Sequence, residues 1–166
     1  MHRWAAAALL TVVLGACGTS PNVTSARPER SLPPGSVDPC ALVAKSEAEA
    51  TFGGRVINPA RQDKGQAFAC IYRGVSGGYL QLTVDASANA AKSFAAAAGS
   101  AGNTAISGVG DAGYRYQVPQ GNEVLLGVVA LKDKTAVGVA MTTSNAKTVD
   151  VTKALVALLK KAIAKV

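Results

Sequence analysis

Histidine is almost absent from this chain, in which His2 is the only one. Ser-His-Asp and Cys-His nucleophiles both need an imidazole base, so these enzyme classes are excluded for any mature form that lacks His2. The 10 acidic residues are spread singly except for Glu47 and Glu49, whose spacing puts them on different faces of a helix. No such pair suits glycoside chemistry. We therefore predict that the protein is not an enzyme, and a Ser-Lys or single-carboxylate mechanism is the alternative.

The chain also lacks an apolar run long enough to cross a membrane, which takes about 20 residues. Residues 4–14 are almost wholly apolar and end with the first residue of a Leu-Gly-Ala-Cys motif, whose cysteine is Cys17. Small residues before a cleavage point are typical of signal peptides, and a new N-terminal cysteine can carry lipid such as diacylglycerol and palmitate. The motif predicts a lipoprotein signal peptide at residues 1–16 and lipidation of Cys17. The alternatives are an ordinary secretory signal or an uncleaved interfacial helix.

Cysteine is scarce as well, since only Cys40 and Cys70 accompany Cys17. No two cysteines have the C-x-x-C spacing of redox and zinc motifs, so we predict no metal and no other cofactor. An even pair outside the reducing cytosol instead predicts a disulfide between Cys40 and Cys70. Closing a loop of about 30 residues stabilises a fold by roughly 3.5 kcal/mol in the chain-entropy model. A redox or metal role for the pair is the alternative.

Negative charge is in short supply. The chain has 17 Lys and Arg residues against 10 Asp and Glu, a formal net charge of +7, of which Arg3 leaves with the signal peptide. A tethered basic domain suits an anionic lipid or a wall polymer, because each basic residue near a negative surface contributes about 1 kcal/mol. A solvated basic surface is the alternative.

Aromatic residues make up only 5% of the chain against 49% hydrophobic residues, so Val, Leu, Ile and Ala must build most of the core. The tyrosines fall on predicted strands, and some lie near arginines, as in nucleic-acid-binding sheets. The predicted extracytoplasmic location argues against a nucleic-acid partner and favours packing in the core or on a sheet face. These residues are Tyr72, Tyr79, Tyr114 and Tyr116.

The remainder of the chain divides into a spacer and one domain. Residues 17–37 are rich in Pro, Ser and Thr without apolar periodicity, which predicts a disordered tether after the lipidated cysteine. Residues 38–166 are long enough for a single globular domain. The anchor and the spacer predict a protein held at the extracytoplasmic face of the cell membrane.

The domain is predicted to be α+β, a mainly antiparallel sheet of about six strands covered by helices, in the order α-βββ-α-βββ-α. Asp38 is a plausible N-cap with Pro39 at the first helical position, and the helix should run to Phe52, as one element or as two pieces with Ser46 and Glu49 in a second capping box. Strands are predicted at 55–60, 68–73, 79–85, 113–118, 123–131 and 135–143, with turns at 75–78, 119–122 and 132–134. Residues 88–98 read as a helix and 99–108 as a loop.

The last predicted helix begins near Lys147 and has one apolar stripe, with lysines largely off it. Such a helix can cover the sheet or lie on a membrane, and we favour the first because six strands need an apolar cover. The stripe consists of Val151, Leu155, Leu158, Leu159, Ala162, Ile163 and Val166.

One glycine motif matches the dinucleotide fingerprint G-x-G-x-x-G, at residues 108–113. The fingerprint needs a strand before it and a helix after it, whereas here a strand follows. We predict instead that Gly108 and Gly110 take positive φ in a tight turn and that Asp111 caps neighbouring N–H groups.

Several segments of the domain carry a family resemblance: Asp38-Pro39-Cys40-Ala41-Leu42-Val43, Glu47-Ala48-Glu49-Ala50 closed by Gly53, Cys70-Ile71-Tyr72, and Gly108-Val109-Gly110-Asp111-Ala112 before Tyr114. In these, residues 38–166 resemble the actinobacterial lipoproteins that carry the domain of unknown function 3558. The resemblance implies a disulfide between the two domain cysteines, a membrane anchor and no catalytic residues. The chain departs from the family pattern at Ala44, where a capping Thr is common, so the start of the first helix stays open.

Two functions fit these features. The first is a non-catalytic binding or interaction module of the cell envelope, with an envelope protein, a wall polymer or anionic lipid as partner. The second is a carrier of a small apolar ligand or lipid in a cavity between the sheet and its helices, which predicts a sizeable apolar cavity.

Overall fold

The computed structural model describes residues 31–32, 36–144 and 148–166. The predicted signal peptide, Cys17 and most of the predicted tether lie outside the described residues. The helices are α1 (Pro39–Leu42), α2 (Lys45–Phe52), α3 (Ala90–Ala98) and α4 (Thr148–Ile163). The strands are β1 (Ala60–Asp63), β2 (Phe68–Arg73), β3 (Tyr79–Asp85), β4 (Thr104–Ile106), β5 (Ala112–Gln120), β6 (Glu123–Lys132) and β7 (Thr135–Ser144).

All seven strands form one antiparallel sheet in the order β1-β2-β3-β7-β6-β5-β4. The chain builds β1 to β3 from one edge inwards, passes through α3, and builds β4 to β7 from the other edge inwards. The last strand, β7, therefore lies between β3 and β6. The predicted α+β class and antiparallel sheet are confirmed, with seven strands where about six were expected.

The strand count differs because a short strand lies in the predicted loop at 99–108. Residues 104–106 pair with β5, in the register Thr104↔Arg115 to Ile106↔Gly113. Only three residues are involved, and two of them are exposed, so no alternating apolar pattern marks this strand.

The first strand and two turns were predicted at the wrong residues. The prediction of a strand at 55–60 is wrong, because only Val56 makes an isolated bridge there and β1 begins at Ala60, just after Pro59, which has no N–H to donate. The turn predicted at 119–122 is shorter, since β5 continues to Gln120. Lys132 likewise belongs to β6.

Alternation along the strands gives the sheet two faces. Leu82, Val139 and Val128 are partners across β3, β7 and β6, are buried, and lie on the side that we call the α4 face. The neighbouring row, which includes Thr83, Gly138, Val129 and Tyr114, points the other way, to what we call the tyrosine face.

The C-terminal helix covers the α4 face, as favoured from its sequence. It packs on β6 and β7, and its stripe residues Leu155, Leu158, Leu159, Ala162 and Ile163 are buried. Lysines off the stripe bind the neighbouring helices: Lys161 Nζ lies 2.7 Å from Glu47 Oε1, and Lys165 Nζ donates to the Leu42 carbonyl at 2.6 Å. Helices α1, α2 and α4 thus form one layer.

The first helix is two pieces, α1 and α2, one of the two forms expected. Asp38 caps α1 as predicted, by accepting the Cys40 N–H at 2.9 Å with Pro39 at the first helical position. The predicted Ser46 and Glu49 box is wrong: α2 begins after Ala44, whose N–H donates to Glu47 Oε2 at 3.0 Å, and Glu49 accepts the Val56 N–H instead. A side-chain cap at Ala44 is missing, so the Glu47 carboxylate alone serves this end.

Residues 108–111 of the glycine motif form a turn that leads directly into β5, as predicted. Gly108 and Gly110 have φ of 72° and 55°, and a Cβ at Gly110 would overlap the Leu131 carbonyl. Asp111 Oδ2 accepts the Asp133 N–H at 2.6 Å, which fixes the β6–β7 turn. The motif is thus structural.

Candidate binding groove on the tyrosine face

The site residues predicted from the sequence, Cys17, Cys40 and Cys70, do not mark a binding cleft among the described residues. Cys17 lies outside the described residues. Cys40 and Cys70 form the predicted disulfide, with Cα atoms 5.0 Å apart, and Cys70 is fully buried. The bond ties α1 to β2 beneath the helices, so its role is structural.

Within the described part of the chain, no group of three or more His, Cys, Asp or Glu side chains could hold a metal ion. None of the helices at 39–42, 45–52, 90–98 and 148–163 is long and apolar enough to span a bilayer.

The tyrosine face is only partly covered. Helix α3 packs against β7, with Ala90 and Phe94 as its buried residues, and the Phe94 ring lies 5.1 Å from that of Tyr114. The polar side chains of β3 on this face remain half-exposed. The uncovered part of the face forms a groove of about 290 Å³ that is open to solvent.

Small residues form the floor of this groove. Ala136, Gly138 and Ala140 of β7 alternate with the buried valines of the α4 face. On the adjacent strand, Gly127 is also without a side chain, and the ring of its partner Tyr116 occupies the place where its Cβ would stand. The ring therefore lies flat on the sheet beside the floor.

The two walls differ in chemistry. Tyr114 and Tyr116 stand on β5, with ring centroids 6.4 Å apart. Gln81, Thr83 and Asp85 stand on β3, three strand spacings or about 14 Å away. The groove thus has an aromatic wall and a hydrogen-bonding wall.

The polar wall is held in place by its own hydrogen bonds. Gln81 Nε2 donates to Thr83 Oγ1 at 2.9 Å. This bond does not use the Gln81 carbonyl oxygen, which can accept, or the Thr83 hydroxyl hydrogen, which can donate. Asp85 Oδ1 accepts the Ser87 N–H at 2.9 Å, so this carboxylate is oriented at the end of the strand.

Burial and charge set the electrostatics of the groove. Burial raises the pKa of Tyr116, and the nearby Tyr114 and Tyr79 raise it further; burial also raises the pKa of Tyr114. Both phenols are therefore neutral at ordinary pH. Asp85 is the one charged residue among those that line the groove, and no Lys or Arg does so. The groove is neutral to acidic in a chain whose net charge is +7.

Two other cavities lack the combination of side chains found in the groove on the tyrosine face. A cavity of about 80 Å³ lies between α4 and the sheet, beside Leu155, Leu126 and Val128. A surface groove between α2 and α4 surrounds the ion pair of Glu47 and Lys161. Neither is lined by two aromatic residues beside a row of polar side chains.

The groove was not predicted from the sequence. The sequence predicts packing roles for the tyrosines, and this is confirmed for Tyr72, which is fully buried and donates from its hydroxyl to the Val43 carbonyl at 2.6 Å. Tyr114 and Tyr116 also pack on the sheet, but they line the groove as well. The signal that could have drawn attention was the run of small residues at alternate positions in 136–140.

No protein-family model, no curated protein and no solved structure matches this chain.

Proposed function

We propose that this protein is a lipoprotein anchored through Cys17 to the extracytoplasmic face of the cell membrane, with a non-catalytic binding module at residues 38–166. The Leu-Gly-Ala-Cys motif and the Pro-rich segment after it support the anchor. The same proposal includes membership of the lipoprotein family with the domain of unknown function 3558. An enzyme is disfavoured because the mature chain has no histidine.

The open groove on the tyrosine face is the observation that carries the binding role. A stable sheet normally buries both apolar faces or keeps the outer one polar. Here small residues keep a strip of the face open between tyrosines and polar side chains. Concave sites with a few oriented polar groups are where proteins bind ligands.

The carrier of an apolar ligand is the weaker alternative. Its ligand would sit between the sheet and the helices, where the cavity beside α4 measures about 80 Å³. An apolar cavity that admits benzene is about 150 Å³. The space beside α4 is therefore too small for an acyl chain.

Site-specific photo-crosslinking in envelope membranes tests the binding module. A photoreactive residue replaces Thr83, in the groove, or Gln117, which is exposed on the α4 face of β5. We expect adducts from position 83 that disappear when Ala140→Leu fills the floor. Identical adducts from both positions, or no adduct from position 83, would contradict the proposal.

A further inference from the structure

We propose that the groove on the tyrosine face binds a short stretch of neutral glycan, with sugar rings stacked on Tyr116 and sugar hydroxyls bonded to Gln81, Thr83 and Asp85. This inference rests on the proposed binding function and names the chemistry of its ligand.

The aromatic wall offers a flat surface. One face of the Tyr116 ring lies against Gly127, so the ring is held parallel to the sheet and the opposite face borders the groove. The face of an aromatic ring is electron-rich and attracts the weakly positive C–H groups of a sugar ring. A ring that is already immobile loses little entropy when a ligand stacks on it.

The polar wall matches the other side of a sugar. Gln81, Thr83 and Asp85 occupy alternate positions of β3, about 7 Å apart along the strand. Together they present both acceptors and donors, and sugar hydroxyls need both kinds of partner. An acyl chain has no hydrogen-bonding groups, so it would cover these side chains without giving them any new partner.

Charge excludes the anionic polymers from this groove. Its lining contains Asp85 and no cationic side chain, so a phosphate or uronate would be repelled.

A cation is also a poor fit. Aromatic cages surround a cation with converging ring faces. Here Tyr114 packs on Phe94 while Tyr116 lies on Gly127, and Asp85 stands on the opposite wall, about 14 Å away across the sheet. A compact ammonium group cannot contact both walls, whereas a chain of sugars can.

Calorimetric titration of the full lipidated protein tests this inference, in a detergent without a sugar headgroup so that the micelle does not compete. The probes are neutral tetrasaccharides of N-acetylglucosamine, of glucose and of mannose, with dextran sulfate and tetramethylammonium as charged probes. We expect at least one tetrasaccharide to bind saturably. Tyr116→Ala and Gln81→Ala should each weaken it about tenfold or more, which corresponds to about 1.4 kcal/mol.

Matched variants separate the site from the fold. Tyr116→Phe keeps the ring and should retain most of the affinity, Ala140→Leu fills the floor and should abolish binding, and Gln117→Ala on the other face should change nothing. Thermal unfolding of each variant checks that it is folded.

Three outcomes would overturn the glycan assignment: no saturable binding of any tetrasaccharide, affinity unchanged by Ala140→Leu, or preference for either charged probe. If the crosslinks from position 83 remain groove-dependent in those cases, the binding module stands and only its ligand class is wrong. If those crosslinks fail as well, the proposed function falls too.

Discussion

The ring of Tyr116 lies across the backbone of Gly127, its cross-strand partner, and occupies the space where a side chain would begin. The contact brings the large side chain of Tyr116 on β5 against Gly127 on β6, which has no side chain. The Tyr116 ring forms part of the aromatic wall of the groove and covers the Gly127 backbone. Covering a glycine with an aromatic side chain is a known way to stabilise glycine in a sheet.

Gly127→Ala should displace that ring. The new methyl group would overlap the Tyr116 ring, and we expect a loss of about 1–3 kcal/mol in the free energy of unfolding, as for other overpacked sites. Gly138→Ala is the control on the same face, because the nearest atom to its methyl would belong to Val129, at an ordinary contact distance of 3.5 Å. Urea unfolding compares the two. Equal losses would show that the ring does not depend on this glycine.

Tyr72→Phe should destabilise the domain by about 1–3 kcal/mol, because it leaves the Val43 carbonyl without the hydroxyl that lies 2.6 Å away in the core. The control is Tyr79→Phe, which removes a hydroxyl from a half-exposed ring. Chemical unfolding at pH 7 measures both. A loss at Tyr72 no greater than that at Tyr79 would contradict this role of the hydrogen bond.

The same residue makes stability depend on alkaline pH. Burial raises the pKa of Tyr72 from 10.0 to about 12. The unfolded chain therefore releases this proton first, so the contribution is complete below pH 10 and is lost as pH rises towards 12. In unfolding curves between these values, the decline should be shallower in Tyr72→Phe than in the wild type. If the free energy of unfolding falls equally with pH in the variant and the wild type, Tyr72 is not the source of the dependence.

Lys161→Ala should cost no more than about 1 kcal/mol, since both partners of the ion pair with Glu47 are partly exposed. The hydrogen bond from Lys161 holds the pKa of Glu47 below its usual value of 4.5. That stabilisation is present above pH 4.5 and is lost as pH falls through the lowered pKa. The variant should therefore lose less stability on acidification than Lys153→Ala, an exposed change on the same helix, when both are followed by acid unfolding. Identical acid unfolding curves for the two variants would show that the ion pair of Glu47 and Lys161 does not contribute to the loss of stability at low pH.

Reduction of the Cys40–Cys70 disulfide, which spans 30 residues, should lower the free energy of unfolding by roughly 3.5 kcal/mol. The double variant Cys40→Ser and Cys70→Ser should be at least as unstable as the reduced wild type, because it lacks the covalent link between α1 and β2 and also places a serine hydroxyl at the fully buried position 70. Urea unfolding with and without a reducing agent gives the comparison. A double variant as stable as the oxidised protein would mean that the bond contributes nothing.

Cys17→Ala should release the protein from its membrane while leaving the domain folded, because the proposed acyl chains would be missing. Partition after an alkaline wash reports attachment, and the circular dichroism spectrum reports the fold. Cys40→Ser is the matched control, since it should stay membrane-bound although destabilised. Retention of the Cys17→Ala protein in the washed membranes would show that the motif was misinterpreted.

Local patterns predicted the elements well where burial alternates strictly. Leu80, Leu82 and Val84 gave β3 its exact limits, and the apolar stripe of residues 151–166 placed α4 over the sheet. Strand β4 was not predicted because Thr104 and Ala105 are exposed and show no alternation of apolar and polar residues. Its position depends on pairing with β5, which no alternating pattern in residues 104–106 indicates.

The groove could not be predicted for a related reason. Gln81 and Tyr116 face each other only because β7 and β6 separate their strands, and no local feature of the chain specifies that order. The small residues at 136, 138 and 140 are visible in the sequence, but they become a floor only once both neighbours of β7 are known.

The position of β7 also determines when the domain can assemble. Because this strand is the last of the sheet in sequence yet lies between β3 and β6, a nascent chain that stops before Thr135 holds two separate meanders, each with an unpaired edge. The sheet closes only when almost the whole chain is present, through contacts distant in sequence that form slowly. For the lipoprotein proposed above, which would cross a membrane unfolded, such delayed closure would keep the chain competent for translocation until its C-terminal strand and helix are complete.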